Sequence, residues 1–163
     1  MSNSDTPITC ADIPVGKTVT VKVPASSANL GPGYDTLGVA LGFYDELRVE
    51  CISEGLEFEL SGEGSEAVPR DETHLVIQAM HAAFERGGLH EFPALRLTAH
   101  NRIPHSRGMG SSASAIVAGV AAASGLLPEH AQLSRDQILQ VASDLEGHPD
   151  NVAPSVYGSL SIS

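Results

Sequence analysis

Apolar and polar residues alternate along the first part of the chain, whereas later segments repeat apolar residues at helical spacing. A period of two, with β-branched residues on one face, is typical of a half-buried strand. The segment 17–23 follows this rule, and its alternation predicts a first strand. Further strands are predicted over 36–41, 43–53, 56–60 and 94–100. Proline and glycine residues between 24 and 34 favour a loop there.

Three segments have the pattern of helices. Residues 71–86 place their apolar side chains on one stripe, with Asp71 predicted to cap the start and two glycines following the end. Residues 113–125, rich in alanine and valine, are predicted to form a second helix. Ser134 and Gln137 form a capping-box pattern that predicts a third helix, ending at Gly147. The last residues, 157–163, are predicted to begin a strand.

The order of these elements is several strands, a helix, a strand, two helices and a strand. This is not a regular alternation of strands and helices, so it favours an α+β layered fold over a doubly wound sheet. A length of 163 residues suits one domain, or one domain and the start of another. We expect a lead-in at 1–16 and a domain at 17–163, cut before a second half because the chain ends where a strand begins.

Charge and composition exclude several functions. The net charge is −11 and no basic stripe is present, so no nucleic-acid partner is expected. No apolar run approaches a membrane span, and the polar amino terminus does not resemble a signal peptide. Cys10 and Cys51 have neither metal-site spacing nor a disulfide framework. A reduced, cytoplasmic setting is therefore expected, without a membrane partner.

The segment 104–114 combines closely spaced glycines with serines at the start of a predicted helix. Gly108 and Gly110 allow the backbone to approach a ligand closely, and a helix amino terminus binds anions. Phosphate is the natural anion, so nucleotide binding is the leading hypothesis. The P-loop pattern is excluded because no lysine is nearby. A dinucleotide site on Gly108, Gly110 and Ala113 stays open, as does a small-residue helix start that serves only packing.

Two other polar clusters are candidates for chemistry. Residues 24–35 include Asn29, which can donate and accept hydrogen bonds, and Asp35, which can pair with a substrate ammonium group. Ordinary turn formation is the alternative reading of that cluster. Residues 145–154 include Glu146, whose carboxylate suits a magnesium ion. A solvated charge at a helix end is the alternative there.

Taken together and in this order, the three segments resemble motifs of the GHMP kinase superfamily and, within it, of the homoserine kinase family. Tyr34 stands where phenylalanine is usual in the first motif, and Met109 where leucine is usual in the second. The resemblance spans about residues 17–162. It implies a layered mixed sheet with helices on one face, the ribosomal protein S5 domain 2-like fold of the amino-terminal GHMP kinase domain.

The resemblance also implies roles for individual residues. Asn29 and Asp35 would bind L-homoserine, with Asp35 facing its amino group. Ser112 and Glu146 would hold Mg²⁺, and Asn151 would lie beside the attacking hydroxyl, so that Glu146 and Asn151 are the catalytic candidates. The residues expected around the ATP phosphates are His105, Ser106, Arg107, Gly108, Met109, Gly110, Ser111, Ser112, Ala113, Ser114 and Ala115.

The implied activity is ATP-dependent phosphorylation of L-homoserine to O-phospho-L-homoserine, a step of threonine biosynthesis. L-Homoserine and ATP would be the small-molecule partners, and a homodimer stays open. The family carries a carboxy-terminal domain that this sequence lacks. One alternative is therefore a truncated nucleotide-binding fragment without turnover, and another is a GHMP kinase that acts on a different small alcohol. The polar connection 62–71 is the candidate for contact with adenine.

Overall fold

The computed structural model describes residues 7–28, 30 and 37–162. Asn29 and the segment 31–36, which includes Asp35, lie outside the described residues. In chain order the elements are β1 (Thr18–Ala28), β2 (Leu37–Cys51), β3 (Leu56–Gly62), α1 (Leu75–Arg86), β4 (Leu95–Asn101), α2 (Ser111–Leu126), α3 (Arg135–Glu146), α4 (Val152–Tyr157) and β5 (Leu160–Ile162).

The described strands form one mixed sheet in the order β1-β2-β4-β3, with β5 added beside the start of β2. Strand β2 is antiparallel to β1, β4 and β5, and it pairs with β4 at one end and with β5 at the other. Strands β3 and β4 are parallel. A parallel pair needs a crossover connection, and α1 lies within the connection between them. The prediction of a layered α+β fold is confirmed.

The two faces of the sheet differ in chemistry. Leu47, Val49 and Leu97 are at most 3% exposed and belong to the core that the helices cover. On the opposite face, Arg96 Nε lies 2.7 Å from a carboxylate oxygen of Glu57 on the neighbouring strand. Helices on one face are thus observed as expected, and the other face is charged and open to solvent.

Helix α2 is the most enclosed helix of the described residues, and its small side chains permit this. It packs against α1, α3 and the sheet, and eleven of its sixteen residues are buried. At Gly119 a Cβ atom would lie 2.6 Å from the carbonyl oxygen of Val76 and 2.8 Å from Cβ of Ala79. Helix α1 therefore approaches α2 at a distance that only glycine allows at position 119.

Strand β1 extends beyond its predicted end. The pattern predicted a loop from residue 24 onward, but the strand continues to Ala28 through a register shift between Pro24 and Ser26. Proline is tolerated here because β1 is an edge strand, and because bulges accommodate a residue that cannot donate to the ladder. The two strands predicted over 36–41 and 43–53 are one continuous strand, β2.

The carboxy-terminal part also differs from the expectation. Residues Val152–Tyr157 form a short helix that the pattern did not predict, and the strand predicted from residue 157 is limited to Leu160–Ile162. Six residues are too few to establish a helical period. Pro154 lies in the first turn of α4, where a missing N–H is tolerated.

Helix α1 begins four residues later than predicted. Its amino-terminal cap is His74, whose Nδ1 accepts a hydrogen bond from the backbone N–H of Val76 at 3.2 Å. Asp71 instead accepts from the backbone N–H of Thr73 at 2.8 Å, in the preceding turn. The His74 side chain is buried, and this burial lowers its pKa. The neutral ring, with Nδ1 as acceptor, is therefore the capping form.

The predicted capping box of α3 is confirmed. Ser134 Oγ accepts from the backbone N–H of Gln137 at 3.2 Å, and the Gln137 side chain accepts from the backbone N–H of Ser134 at 2.9 Å. Gly147 follows the helix in a left-handed conformation with φ of 93°. Local sequence thus defines both ends of α3, and with them the position of Glu146, its last residue.

The described part of the lead-in packs against the domain. Ile13 is 2% exposed and joins the core, and Ile8 forms an isolated parallel bridge with Leu89. Cys10 and Cys51 are free thiols, and burial raises the pKa of the Cys51 thiol. Among residues 7–28, 30 and 37–162, no helix has the length and apolar character needed to cross a bilayer.

Replacement of Gly119 by alanine is expected to destabilise the domain by about 1–3 kcal/mol, because the added methyl group meets helix α1. Urea denaturation followed by circular dichroism measures this change. Gly42→Ala is the matched control, since a Cβ at Gly42 has nothing within 4 Å. An equal loss in both variants would contradict the close contact between α1 and α2.

Acidification is expected to weaken the cap that His74 provides. Because the pKa of His74 is held below the usual 6.5, the unfolded chain takes up this proton at a higher pH than the folded protein does. The contribution of the neutral ring is fully present above pH 6.5 and is lost as the pH falls below that value.

The His74→Asn variant tests this pH dependence, because asparagine caps a helix but does not titrate. Between about pH 7.5 and about pH 5.5, the variant should lose less unfolding free energy than the wild type. His130→Asn, at an exposed histidine, should keep the wild-type dependence. If His74→Asn and the wild type lose stability in parallel, the ring does not cap as the neutral form.

Candidate active site

The connection from β4 to α2 turns sharply through three residues with positive φ. Ser106, Gly108 and Gly110 have φ values of 56°, 67° and 69°. Gly110 is the amino-terminal cap of α2, and no side chain caps this helix end. The first backbone N–H groups of α2 are therefore not engaged by a capping side chain, as an anion site at a helix start requires.

Three segments distant in sequence meet at Gly110. The backbone N–H of Ser26 donates to the carbonyl of Met109 at 3.1 Å. The hydroxyl of Ser26 donates to Oδ1 of Asn151 at 3.0 Å. A Cβ at Gly110 would lie 2.1 Å from Ser26 Oγ and 3.2 Å from Asn151 Oδ1. The end of β1, the glycine loop and the residue before α4 are thus in direct contact.

A buried carboxylate braces the turn that carries Asn151. Asp150 is 1% exposed, and its Oδ1 accepts from the backbone N–H of Asn151 at 2.9 Å. The same oxygen lies 2.5 Å from Nδ1 of His148. On the far side, a Cβ at Gly38 would lie 2.1 Å from the carbonyl oxygen of Asp150, so β2 packs directly against this turn.

Ser112 and Glu146 face each other across the ends of two helices. Ser112 Oγ donates to Oε2 of Glu146 at 2.8 Å. One residue lies in the first turn of α2 and the other is the last residue of α3. A hydroxyl and a carboxylate are hard oxygen donors of the kind that Mg²⁺ prefers.

The protein ligands for a metal would be few. Within the described ranges, no group of three or more histidine, cysteine, aspartate or glutamate residues could hold a metal ion. Mg²⁺ commonly keeps several waters and binds through one or two carboxylates plus substrate phosphates. The pair formed by Ser112 and Glu146 fits that mode of binding rather than an all-protein cage.

Asp45 is a site residue that the sequence reasoning missed. Its Oδ1 accepts from the backbone N–H groups of Arg102 and Ile103, at 2.6 and 2.9 Å, and its Oδ2 lies 3.5 Å from Ser114 Oγ. Burial raises its pKa, while the two backbone hydrogen bonds act in the opposite direction. Asp45 thus ties the start of the glycine loop to the first turns of α2. The sequence signal that could have indicated Asp45 was a carboxylate within a strand whose apolar and polar residues otherwise alternate.

A cavity of about 310 Å³ opens beside the first turns of α1 and α2. Apolar groups form much of its wall, and polar side chains, among them His74, Asp45 and Ser112, line the rest. Its apolar lining residues include Leu47, Val68, Pro69, Leu75, Val76, Ala99, Ala115 and Ala118. The size and lining suit a planar heterocycle with a charged tail. Val68 and Pro69 belong to the connection 62–71, the segment considered for contact with adenine.

The residues predicted around the phosphates, 105–115, form the glycine loop and the first turns of α2. His105 packs against the connection 62–71, since a Cβ at Gly64 would lie 2.4 Å from its ring. Ala113 and Ser114 are fully buried, and Ser114 lines the cavity. Arg107 is exposed. Glu146 and Asn151 both lie close to this loop, as the preceding contacts show.

Comparisons with known proteins identify relatives of similar sequence and fold. A homoserine kinase of Corynebacterium aurimucosum is 55% identical over 152 residues, which is 93% of this chain and 48% of that protein. The crystal structure of homoserine kinase from Cytophaga hutchinsonii superposes with a TM-score of 0.75 at 28% identity, over 88% of this chain and 47% of that one. The chain spans about half the length of the curated relatives it matches.

A similar fold occurs in a solved structure of lower sequence identity. Mevalonate kinase of Methanococcus jannaschii superposes with a TM-score of 0.70 at 16% identity, over 90% of this chain and 53% of that one, which is a likeness of fold alone. The GHMP kinases N terminal domain matches residues 74–159, from the cap of α1 to just beyond α4. This match covers more than half of the chain, and we conclude that the chain belongs to the GHMP kinase N-terminal domain family.

Proposed function

We propose that this chain is the nucleotide-binding half of a kinase that transfers the γ-phosphoryl group of ATP to the hydroxyl of L-homoserine. The observation that carries the proposal is the meeting of Ser112, Glu146 and Asn151 around one glycine loop. The 55% identity to a homoserine kinase over 152 residues supports the choice of substrate. Cytoplasmic location and a place in threonine biosynthesis are part of the same proposal.

ATP would bind with its base in the cavity and its phosphates along the loop. The cavity is lined by His105, Ser106, Ser111 and Ser112, so it is continuous with the proposed phosphate site. Backbone N–H groups and the positive end of the α2 dipole would neutralise phosphate charge. This matters in a chain with a net charge of −11, which has no cluster of lysines to do so.

Ser112 and Glu146 would hold Mg²⁺ against the phosphates. When bound, the ion supplies charge neutralisation for the transferred group. The Glu146 carboxylate lies at the negative end of the α3 dipole, an unfavourable place for an anion unless a cation is close. Ser112 provides a hydroxyl at the matching place on α2.

Asn29 and Asp35 would bind the amino acid, with Asp35 facing its ammonium group. In the transfer step the homoserine hydroxyl oxygen forms a bond to the γ-phosphorus while the bond from that phosphorus to the β,γ-bridging oxygen breaks. ADP leaves with the electron pair, and the hydroxyl proton passes to a phosphate oxygen or to water. Asn151 cannot accept this proton, since an amide is not a base. Positioning and charge stabilisation would supply the catalysis.

Two alternatives stay testable. The chain by itself could bind nucleotide without turnover, since it spans only half of its relatives. A kinase for a different small alcohol is the other alternative.

Release of ADP from Mg-ATP tests the function. It should depend on L-homoserine when the chain is completed by the second half of the Corynebacterium aurimucosum relative, and calorimetry should detect binding of Mg-ATP by the chain alone. Mevalonate serves as the competing acceptor. Binding of Mg-ATP without turnover in the completed protein would reject the homoserine assignment, and turnover with mevalonate instead would replace it.

Replacement of Glu146 by alanine or glutamine is expected to lower kcat by at least about 100-fold, because a ligand to the ion that neutralises the phosphates is lost. Thermal unfolding should stay close to wild type, since Glu146 lies at a helix end. Glu129→Gln, at an exposed carboxylate outside the site, is the matched control. Near-normal turnover in the Glu146 variants would remove this residue from the metal site.

A further inference from the structure

We propose that Ser26 is a positioning residue that fixes the side-chain amide of Asn151 with its NH₂ group free to donate at the reacting centre. The inference deepens the proposed function and rests on it for the identity of the reacting groups. Ser26 is fully buried, and its side chain contacts Asn151 rather than solvent. No role was assigned to it from sequence.

The two ends of an amide have opposite hydrogen-bonding character. Oδ1 of asparagine only accepts, and Nδ2 only donates. Because Ser26 Oγ donates to Oδ1 at 3.0 Å, the amide plane is held with Nδ2 directed away from Ser26. A rotation of the amide by half a turn would exchange the two groups. The hydroxyl of Ser26 opposes that rotation.

Both partners of this hydrogen bond are anchored by their backbones. Ser26 is paired with Ala40 in the sheet, and its N–H donates to Met109. The Asn151 N–H donates to Asp150, and its carbonyl accepts from Ser155 Oγ at 2.9 Å. With both backbones fixed, the side-chain torsions of Asn151 are left free, and the hydrogen bond from Ser26 fixes them.

Gly110 encloses the pair from the third side. A side chain at this position would collide with Ser26 Oγ and crowd Asn151 Oδ1, so only a residue without Cβ lets the loop close over the hydrogen bond. Closure limits the access of water, which would otherwise compete for Oδ1. The same glycine begins the helix that is proposed to bind phosphate. The orientation of Asn151 is therefore linked to the placement of the phosphate loop.

The donor end of the amide suits a site where negative charge is transferred. An NH₂ group can stabilise charge on the hydroxyl oxygen or on the transferring phosphoryl group. The carbonyl end would repel the same oxygens. Loss of the Ser26 hydroxyl should therefore reduce kcat through Asn151 while leaving the binding of Mg-ATP largely unchanged.

Kinetics of the completed protein tests the inference. Ser26→Ala should lower kcat by about tenfold or more, with KM for Mg-ATP within about twofold of wild type. In an Asn151→Ala background the Ser26 substitution should cause no further loss, since its effect passes through Asn151. Ser143→Ala is the matched control, because the buried Oγ of Ser143 has no hydrogen-bond partner. Full activity of Ser26→Ala, or an equal loss in both backgrounds, would overturn the inference.

Nuclear magnetic resonance of the 163-residue chain gives a readout that needs no turnover. The Asn151 side-chain NH₂ signals are assigned by their absence in Asn151→Ala. In the wild type their cross-relaxation to the β-protons of Ser26 should be weak, because Oδ1 faces the serine. In Ser26→Ala both orientations become populated, and cross-relaxation to the β-protons of residue 26 should increase. A strong wild-type signal would show the opposite orientation and refute the inference.

The two experiments separate failure of the inference from failure of the function. Weak wild-type cross-relaxation, together with no homoserine-dependent turnover in the completed protein, would reject the proposed reaction but keep the amide orientation. Turnover that Ser26→Ala leaves unchanged would keep the reaction and reject the role of Ser26.

Discussion

The close packing of helix α2 is the constraint on which the site depends. Two glycines define it: Gly119 lets α1 approach the middle of the helix, and Gly110 lets β1 approach its start. Between them, small buried residues of α2 pack under α1 and over the sheet. A helix fixed at both points can neither rotate nor slide, so Ser112 in its first turn keeps a defined place opposite Glu146.

Much of the fold could be predicted because the repeat of apolar residues within each helix and strand is visible in the local sequence. The exposed helices α1 and α3 each bury one stripe, and the inner strands alternate, so their positions follow from the pattern. The extension of β1 past Pro24 could not be predicted, because proline breaks a strand unless the strand is at an edge, and edges are set by the tertiary fold. Helix α4 was missed because six residues show no period.

The residues of the candidate site also divide into those that the local sequence predicts and those that it does not. The glycine loop and Glu146 lie in short segments whose chemistry is readable, and the resemblance to known motifs gave them roles. Ser26 and Asp45 form hydrogen bonds with partners 125 and 57 residues away in sequence, and no local pattern links such pairs. Asn29 and Asp35 lie outside the described residues, so their roles remain predictions from the resemblance.

The β3 edge of the sheet affects how copies of this domain can associate. Strand β3 forms that edge, and Glu57 and Glu59 project from its solvent face toward partners on β4. An edge strand offers unpaired backbone groups that can recruit a strand from another molecule. A second copy that approached along β3 would bring its own pair of carboxylates beside these, in a chain already at −11. Like charges on two copies would thus oppose strand-by-strand association along β3.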